Sequence, residues 1–282
     1  MEVYFDQMQE ADSFCLFLRE KCPTWRTIRK RGNIQTVHIV TDEEIVMESC
    51  KQQIAQLLAM VYVRHREIQA IESILQKVYH FSNETEMERI TSLAISLIEK
   101  DADIYEHRIH QHELHDILQA IFFVNMEKDI IRYDSIIHFR FHHYFEQLTQ
   151  LVGLAIDEFK REEEYQEYVH SLREFVKRKN PELDVIYVLE GSTFEFYKED
   201  GTCMEMSELR EYVNQFPLYL LGLPEDEWDI SPLISMSPNH IYLFCYDTNE
   251  PRIQTVMSIF QEKCSLYSLE EFPFYIEKEK GS

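Results

Sequence analysis

The amino-acid sequence predicts an α+β fold: a predominantly helical bundle over about residues 43–180, with N- and C-terminal α/β segments expected to share a sheet. Three observations lead there. From Asn33 to Asn180 the chain holds one glycine, Gly153, and no proline, whereas seven of its eight prolines lie from Pro181 onward. Proline removes a backbone donor and clashes with the preceding turn, so a long proline-free stretch is a helical signal. Within that stretch apolar residues recur with a seven-residue period. After Pro181 the period shortens to that of strands.

The first segment, residues 1–42, reads strand, helix, strand. Val3-Tyr4-Phe5 is β-prone, Phe14, Leu16, Phe17 and Leu18 fall in a helix stopped before Pro23, and Val37 to Val40 form a second strand. Two strands alone are marginal in water, hence the expected partner sheet from the C-terminal segment.

Residues 43–180 form the second segment. Thr41-Asp42-Glu43-Glu44 fits a capping box, in which the hydroxyl and the carboxylate satisfy free amides of the first turn. Ile54, Val61, Ile68 and Leu75 then recur every seven residues, with Leu57, Ile71 and Val78 at the alternate position and Arg64 as the one polar member. The preferred reading is a helix of an antiparallel bundle, the other a coiled-coil seam of a homodimer. Thr85 to Glu88 is a second capping box, followed by Met87, Ile90 and Leu97 at helical spacing. Asp101-Ala102-Asp103 reads as a bend, and Leu114, Leu118, Ile121 and Phe122 continue the pattern. A helix from about Arg132 to Phe159 carries Phe141, Tyr144, Leu148, Leu151 and Ala155, and a last one carries Tyr165 to Val176.

Residues 181–282 form an α/β lobe. Val185 to Leu189 is a nearly continuous apolar run, as in a strand covered on both faces. Thr193 to Tyr197 alternates, and Asp200-Gly201 signals a type I′ hairpin. Ile241 to Cys245 is another strand, Pro251 opens a helix with Ile253, Val256, Met257 and Phe260 inward, and Ser265 to Leu269 return as a strand.

The chain has 282 residues, 45% hydrophobic and 13% aromatic, which excludes a wholly disordered protein. Its formal charge is −23. Proteins that grip phosphate backbones do so by displacing counterions with lysine and arginine, so general nucleic-acid binding and docking on anionic lipid are disfavoured. The acidity is uneven: residues 1–42 are net neutral and residues 181–282 carry −14. The six cysteines lack any C-x-x-C pair and read as reduced thiols, mostly buried, of a cytoplasmic protein. The longest apolar run, Leu57 to Val63, is far short of a membrane span, so no membrane insertion is expected.

The block from Ile137 to Met204 brings a resemblance. Phe139-Arg140-Phe141 with Tyr144, Asp157-Glu158-Phe159, Glu163 to Tyr168 and Leu172-Arg173-Glu174-Phe175-Val176 precede the strand, hairpin and Asp-Gly turn. In order and spacing they resemble the YtxC-like sporulation proteins of spore-forming Firmicutes. Ser235 to Pro238 and Ile241-Tyr242-Leu243 are similar more weakly. The resemblance implies a sporulation setting and a cytoplasmic protein; it carries over no reaction, cofactor or catalytic residue.

Four constellations are candidates for chemistry. Seven of the twelve histidines fall between His107 and His143. Glu106, His110 and Glu113 share one helical face, and His138, His142 and Glu146 recur at i, i+4 and i+8, so a metal held by His138, His142 and Glu146 with His110 is an alternative to plain polar surface. H-E-x-x-H and the paired E-x-x-H motifs of dinuclear bundles are absent. Asp157, Glu158, Glu163 and Glu164 offer a charged docking face, with attractive pairs expected for Asp157–Arg161 and Lys160–Glu164. Arg26, Arg29, Lys30 and Arg31 form a basic loop beside Trp25 that suits a protein contact or, as a second alternative, a nucleotide or RNA phosphate. P-loops, dinucleotide fingerprints and nucleophile elbows are absent. The leading expectation is a non-enzymatic protein-interaction or scaffold protein without a cofactor, and the alternative is a metal-dependent enzyme or metal sensor using the His/Glu cluster on the bundle.

Overall fold

The computed structural model describes residues 1–30, 32, 34–40, 47–99, 111–126, 130–224 and 226–274. The chain divides into two compact units, Met1–Arg161 and Glu162–Ser282. The architecture is α+β, as expected, but the strands form two separate four-stranded sheets, one in each unit, rather than one shared sheet.

Unit 1 opens with β1 (Glu2–Phe5), α1 (Met8–Lys21), β2 (Arg26–Lys30) and β3 (Gln35–Val40). Its helices follow: α2 (Met47–Tyr62), one turn of π-helix (Val63–Glu67), α3 (Ile68–Lys77), α4 (Glu84–Glu99) and α5 (Gln111–Val124). A short strand β4 (Ile130–Arg132) and α6 (Tyr133–Arg140) lead into α7 (His142–Arg178), which continues into unit 2. The sheet order is β2-β3-β1-β4. The partners that β1 and β3 needed are therefore β4, an Ile-Ile-Arg tripeptide lying parallel to β1 with Val3 opposite Ile131, and β2, antiparallel to β3. The alternation places Val3, Phe5, Val37, Ile39 and Ile131 in the core and leaves the other face of the sheet outward.

Several expectations are corrected here. The basic residues 26–30 are the edge strand β2, paired antiparallel with β3, not a loop. The cap of α4 is Asn83, whose carboxamide oxygen accepts the Thr85 and Glu86 amides and whose nitrogen donates to Glu86. The helix anticipated from Arg132 to Phe159 breaks at Phe141, whose ring packs on Tyr62 at 4.8 Å and Phe122 at 5.5 Å. Beyond it the two expected helices are one, because neither glycine nor proline interrupts residues 154–180. The capping box at Thr41 and the bend at Asp101 lie outside the described residues.

The seven-residue seam holds at five of its seven apolar positions. Ile54, Leu57, Val61, Ile71 and Leu75 are buried in the core of unit 1, so the seam is spent within the bundle. Ile68, however, is 48% exposed and Val78 also faces out, while Glu67 is buried. The π turn is the reason. It inserts one residue into the helical count, so the buried stripe past it runs through Glu67, Ile71, Ile74 and Leu75 and leaves Ile68 outward.

In unit 2, β5 (Val185–Leu189), β6 (Glu195–Tyr197), α8 (Met206–Val213), α9 (Ser231–Met236), β7 (His240–Cys245), α10 (Pro251–Phe260) and β8 (Cys264–Ser268) follow the end of α7. The sheet order is β6-β5-β7-β8, with β5, β7 and β8 parallel and β6 antiparallel. One face packs Ile186, Val188, Ile241 and Leu243 against Val169, Leu172 and Val176 of α7 and Ile253 and Val256 of α10. The other carries an aromatic layer of Tyr187, Tyr197, Tyr242 and Phe244, joined by Phe272 and Phe274. At the hairpin only Gly201 has positive φ, so the turn is type I closed by a left-handed glycine rather than type I′.

Candidate functional site

The π turn organises the densest polar cluster of unit 1. Arg66 donates from Nε to Glu10 Oε1 at 2.5 Å and from Nη2 to Glu10 Oε2 at 2.8 Å, and it also pairs with Asp134. Glu10, on α1, is fully buried. Asp134, in the first turn of α6, accepts the Asp6 amide at 2.8 Å, so the same carboxylate ties the end of β1 to α6. The next residue of the π turn, Glu67, accepts the Tyr144 hydroxyl of α7 at 2.8 Å and stands 3.7 Å from His115 Nε2 of α5. His65 and the Ser13 hydroxyl meet at 2.7 Å. Three successive residues of one wide turn thus reach α1, α5, α6 and α7.

The electrostatics follow from burial and pairing. Hydrogen bonds donated to Glu10 and Asp134 hold Arg66 above its usual range, so its charge is permanent. Glu67 raises His115 above the ordinary imidazole value, against the opposing effect of burial. Burial foremost, with Glu67 beside it, pushes the Tyr144 phenol far up, and burial with Glu10 nearby does the same for Tyr133. Both phenols remain neutral, and Tyr144 donates its proton to Glu67. The Tyr133 hydroxyl is buried with no hydrogen-bond partner among the described residues, its ring stacked on Phe122 at 5.5 Å and under Arg66 at 5.4 Å. Chemically the cluster is a set of compensated charges that fixes helices.

A second cluster lies at the C-terminal ends of β5 and β7, where parallel sheets hold their ligands when they have them. Arg252 donates to Asp229 at 3.0 Å, to Glu250 at 2.6 Å and to the carbonyls of Ser192 and Gly191. Asp229 also accepts the Phe194 amide at 2.7 Å. Glu227 accepts the amides of Asp229, Ile230 and Ser231, satisfying the free donors where α9 begins. Burial and the neighbouring Glu250 raise the Glu190 carboxyl, while the neighbouring Glu190 and Arg252 hold Glu250 low.

Of the residues expected from sequence to bind metal, His142 and Glu146 meet at 3.2 Å on the surface of α7, with His143 at 3.7 Å from the same carboxylate. His142 is 89% exposed, and His138 is exposed on α6. No group of three or more potential ligands is spaced for a metal among the described residues. His110 and Glu106 lie outside them.

On α7, Asp157 is exposed and Glu158 pairs with Arg161, which replaces the expected Asp157–Arg161 pair. Glu163 and Glu164 are exposed in unit 2, and neither they nor Lys160 has an ion pair among the described residues. In β2, Arg26 and Lys30 point outward, whereas Arg29 turns inward to Asp12, Gln35 Oε1 and the Met8 carbonyl. Arg31 lies outside the described residues.

Neither Arg66–Glu10 nor Glu67–Tyr144 was legible as a site in the sequence. Their partners lie 56 and 77 residues apart and belong to no short motif. A usable signal existed: Glu10 stands four residues before Phe14 on the apolar stripe of α1, and a carboxylate on a buried stripe demands a cation.

Two α+β units joined through one long helix, with the buried ion cluster in the first, define the class. The chain belongs to the YtxC-like family, whose sequence profile matches residues 52–265. It is similar to the Bacillus subtilis (strain 168) protein named YtxC, with 26% identity over 221 residues, 77% of this chain and 76% of that one. No solved structure matches this chain. No helix among the described residues is long and apolar enough to cross a membrane, and all six cysteines are free.

Proposed function

We propose that this protein is a sporulation-associated, cytoplasmic interaction or scaffold protein that docks a basic protein partner through the acidic stretch of α7. One observation carries the reading: residues Glu163 to Glu167 are all exposed, and apart from the Tyr165 hydroxyl, which meets Thr255 Oγ1 at 3.0 Å, the turn presents Glu163, Glu164 and Glu167 to solvent. Carboxylates one turn apart repel each other at a cost of a few tenths of a kcal/mol per pair. A basic partner relieves that repulsion. The sporulation setting comes from the family resemblance, and the uneven −23 charge supports a cationic partner.

The test is capture of partners from sporulating cells by the wild-type chain and by the Glu163→Lys/Glu164→Lys/Glu167→Lys variant. The variant should lose a partner that the wild type retains, and the loss should be mimicked by raising salt. Unchanged capture overturns the reading.

A further inference from the structure

We propose that the outward face of the unit 1 sheet is a docking surface for an anionic lipid bilayer. The register of the sheet builds this face in rows. Ile28 of β2, His38 of β3, Glu2 of β1 and Ile130 of β4 stand side by side, followed by Lys30, Thr36, Tyr4 and Arg132. Arg26 and Val40 pair at one end. Ile28, Val40 and Ile130 are 57%, 50% and 52% exposed. Arg26, Lys30 and Arg132 are exposed beside them.

Glu2 is the one acidic side chain in these rows, and it is already engaged by the Tyr4 hydroxyl at 2.6 Å and by His38 Nδ1 at 3.0 Å. Three cations alternating with three bare aliphatic side chains thus make a cationic, apolar plane in a protein of net charge −23. The whole-chain charge argues against anionic lipid only as an average. Screening confines an exposed charge to about 8 Å at physiological salt, so a surface meeting this face senses mainly its cations.

The composition of the face selects the partner. Ile28 and Ile130 occupy opposite edge strands, three interstrand steps or about 14 Å apart. A helix laid along the strands is about 10 Å wide and does not cover both. A lipid surface meets both at once, takes aliphatic side chains at the acyl boundary and pairs headgroup phosphates with lysine and arginine. Single-stranded nucleic acid would use the cations but has no use for three exposed aliphatic residues, since it is held by aromatic stacking. The inference does not depend on the α7 reading.

The test is flotation of the full-length protein with vesicles of phosphatidylcholine alone or of phosphatidylcholine and phosphatidylglycerol in equal amounts. Binding is expected only to the anionic vesicles at about 0.15 M salt, with release at about 1 M. Arg26→Glu/Lys30→Glu/Arg132→Glu should lower the bound fraction about tenfold or more, and Ile28→Ser/Ile130→Ser should lower it severalfold with all charges kept. Thermal melting checks that each variant folds. Should the triple variant not fold, Arg26→Gln/Lys30→Gln on the edge strand must still weaken binding. Absence of flotation by the wild type overturns the proposal. So does retention by the charge variants. Binding that survives in the isoleucine variant and is displaced by single-stranded oligouridylate assigns the face to nucleic acid instead.

Discussion

Arg66 clasps Glu10 with two parallel hydrogen bonds, Nε to Oε1 at 2.5 Å and Nη2 to Oε2 at 2.8 Å, and the carboxylate it clasps is wholly removed from water. The geometry is the bidentate fork that only arginine supplies. Its cation comes from a π turn and its anion from α1, so the pair fixes the entry of the chain against the middle of the bundle. Removing one member of a buried pair strands the other charge.

Arg66→Met should therefore destabilise unit 1 by about 3 kcal/mol, since an uncompensated buried charge costs about 3–5 kcal/mol. Arg66→Lys should recover only part of that, because an ammonium cannot make both parallel bonds and also reach Asp134. The Arg66→Met/Glu10→Leu double variant, which removes both charges of the clasp, should be more stable than Arg66→Met alone. Urea unfolding followed by tryptophan and tyrosine fluorescence measures all three. Equal stability of Arg66→Met and wild type would show that the clasp contributes nothing.

The Glu67–His115 pair predicts that the stability of the bundle depends on pH. Glu67 raises its pKa above the unfolded value of 6.5, so protonation is favoured by folding. A raised folded pKa gives stabilisation that is complete below the unfolded value and is lost as pH rises through the folded one. The melting temperature of the wild type should thus exceed that of His115→Gln at pH 5.5–6, and the difference should shrink as pH is raised past neutrality. His115 is partly solvent-exposed, which screens the effect and keeps it small. A gap that widens with pH would contradict the assigned sign.

The π turn makes an unusually direct prediction about two isoleucines three residues apart. Ile68 lies on the seven-residue seam of the sequence but is outward, whereas Ile71 is completely buried. Ile71→Ala should cost about 2–4 kcal/mol through lost burial and the cavity left behind, and Ile68→Ala should change stability by less than about 0.5 kcal/mol. Similar costs at both positions would mean that the helix keeps one phase throughout.

That pair also shows where the sequence was informative. Periodicity found the helices, because a repeated apolar stripe is a property of consecutive residues. It could not register the π turn, because an added residue in the helical count has no composition signature of its own. The expected shared sheet failed for a related reason. The strand that completes the first sheet is the tripeptide Ile130–Arg132, too short to stand out, and its pairing with β1 spans more than a hundred residues. The acidic stretch of α7 and the basic row of β2 were visible as charge patterns. The Arg66 and Glu67 contacts were not, since each joins single residues that only the tertiary fold brings together.

Gly201 tests the hairpin of unit 2. Its φ of +83° lies in the left-handed region, where a side chain costs about 1–2 kcal/mol. A Cβ at this position would also stand 2.7 Å from Cδ1 of Phe274, whose ring lies on Tyr187 at 4.9 Å and on Phe272 at 5.5 Å. Gly201→Ala should accordingly destabilise unit 2 by about 2 kcal/mol and shift Phe274 away from the aromatic layer. Gly201→Asn should be milder in backbone strain, since asparagine tolerates positive φ, but should disturb Phe274 as much. Near-ultraviolet circular dichroism reads the aromatic layer and chemical denaturation reads stability, so the two effects separate. Loss of stability with an unchanged aromatic signal would assign the whole cost to the turn, and an unchanged protein would show that the turn does not need its glycine.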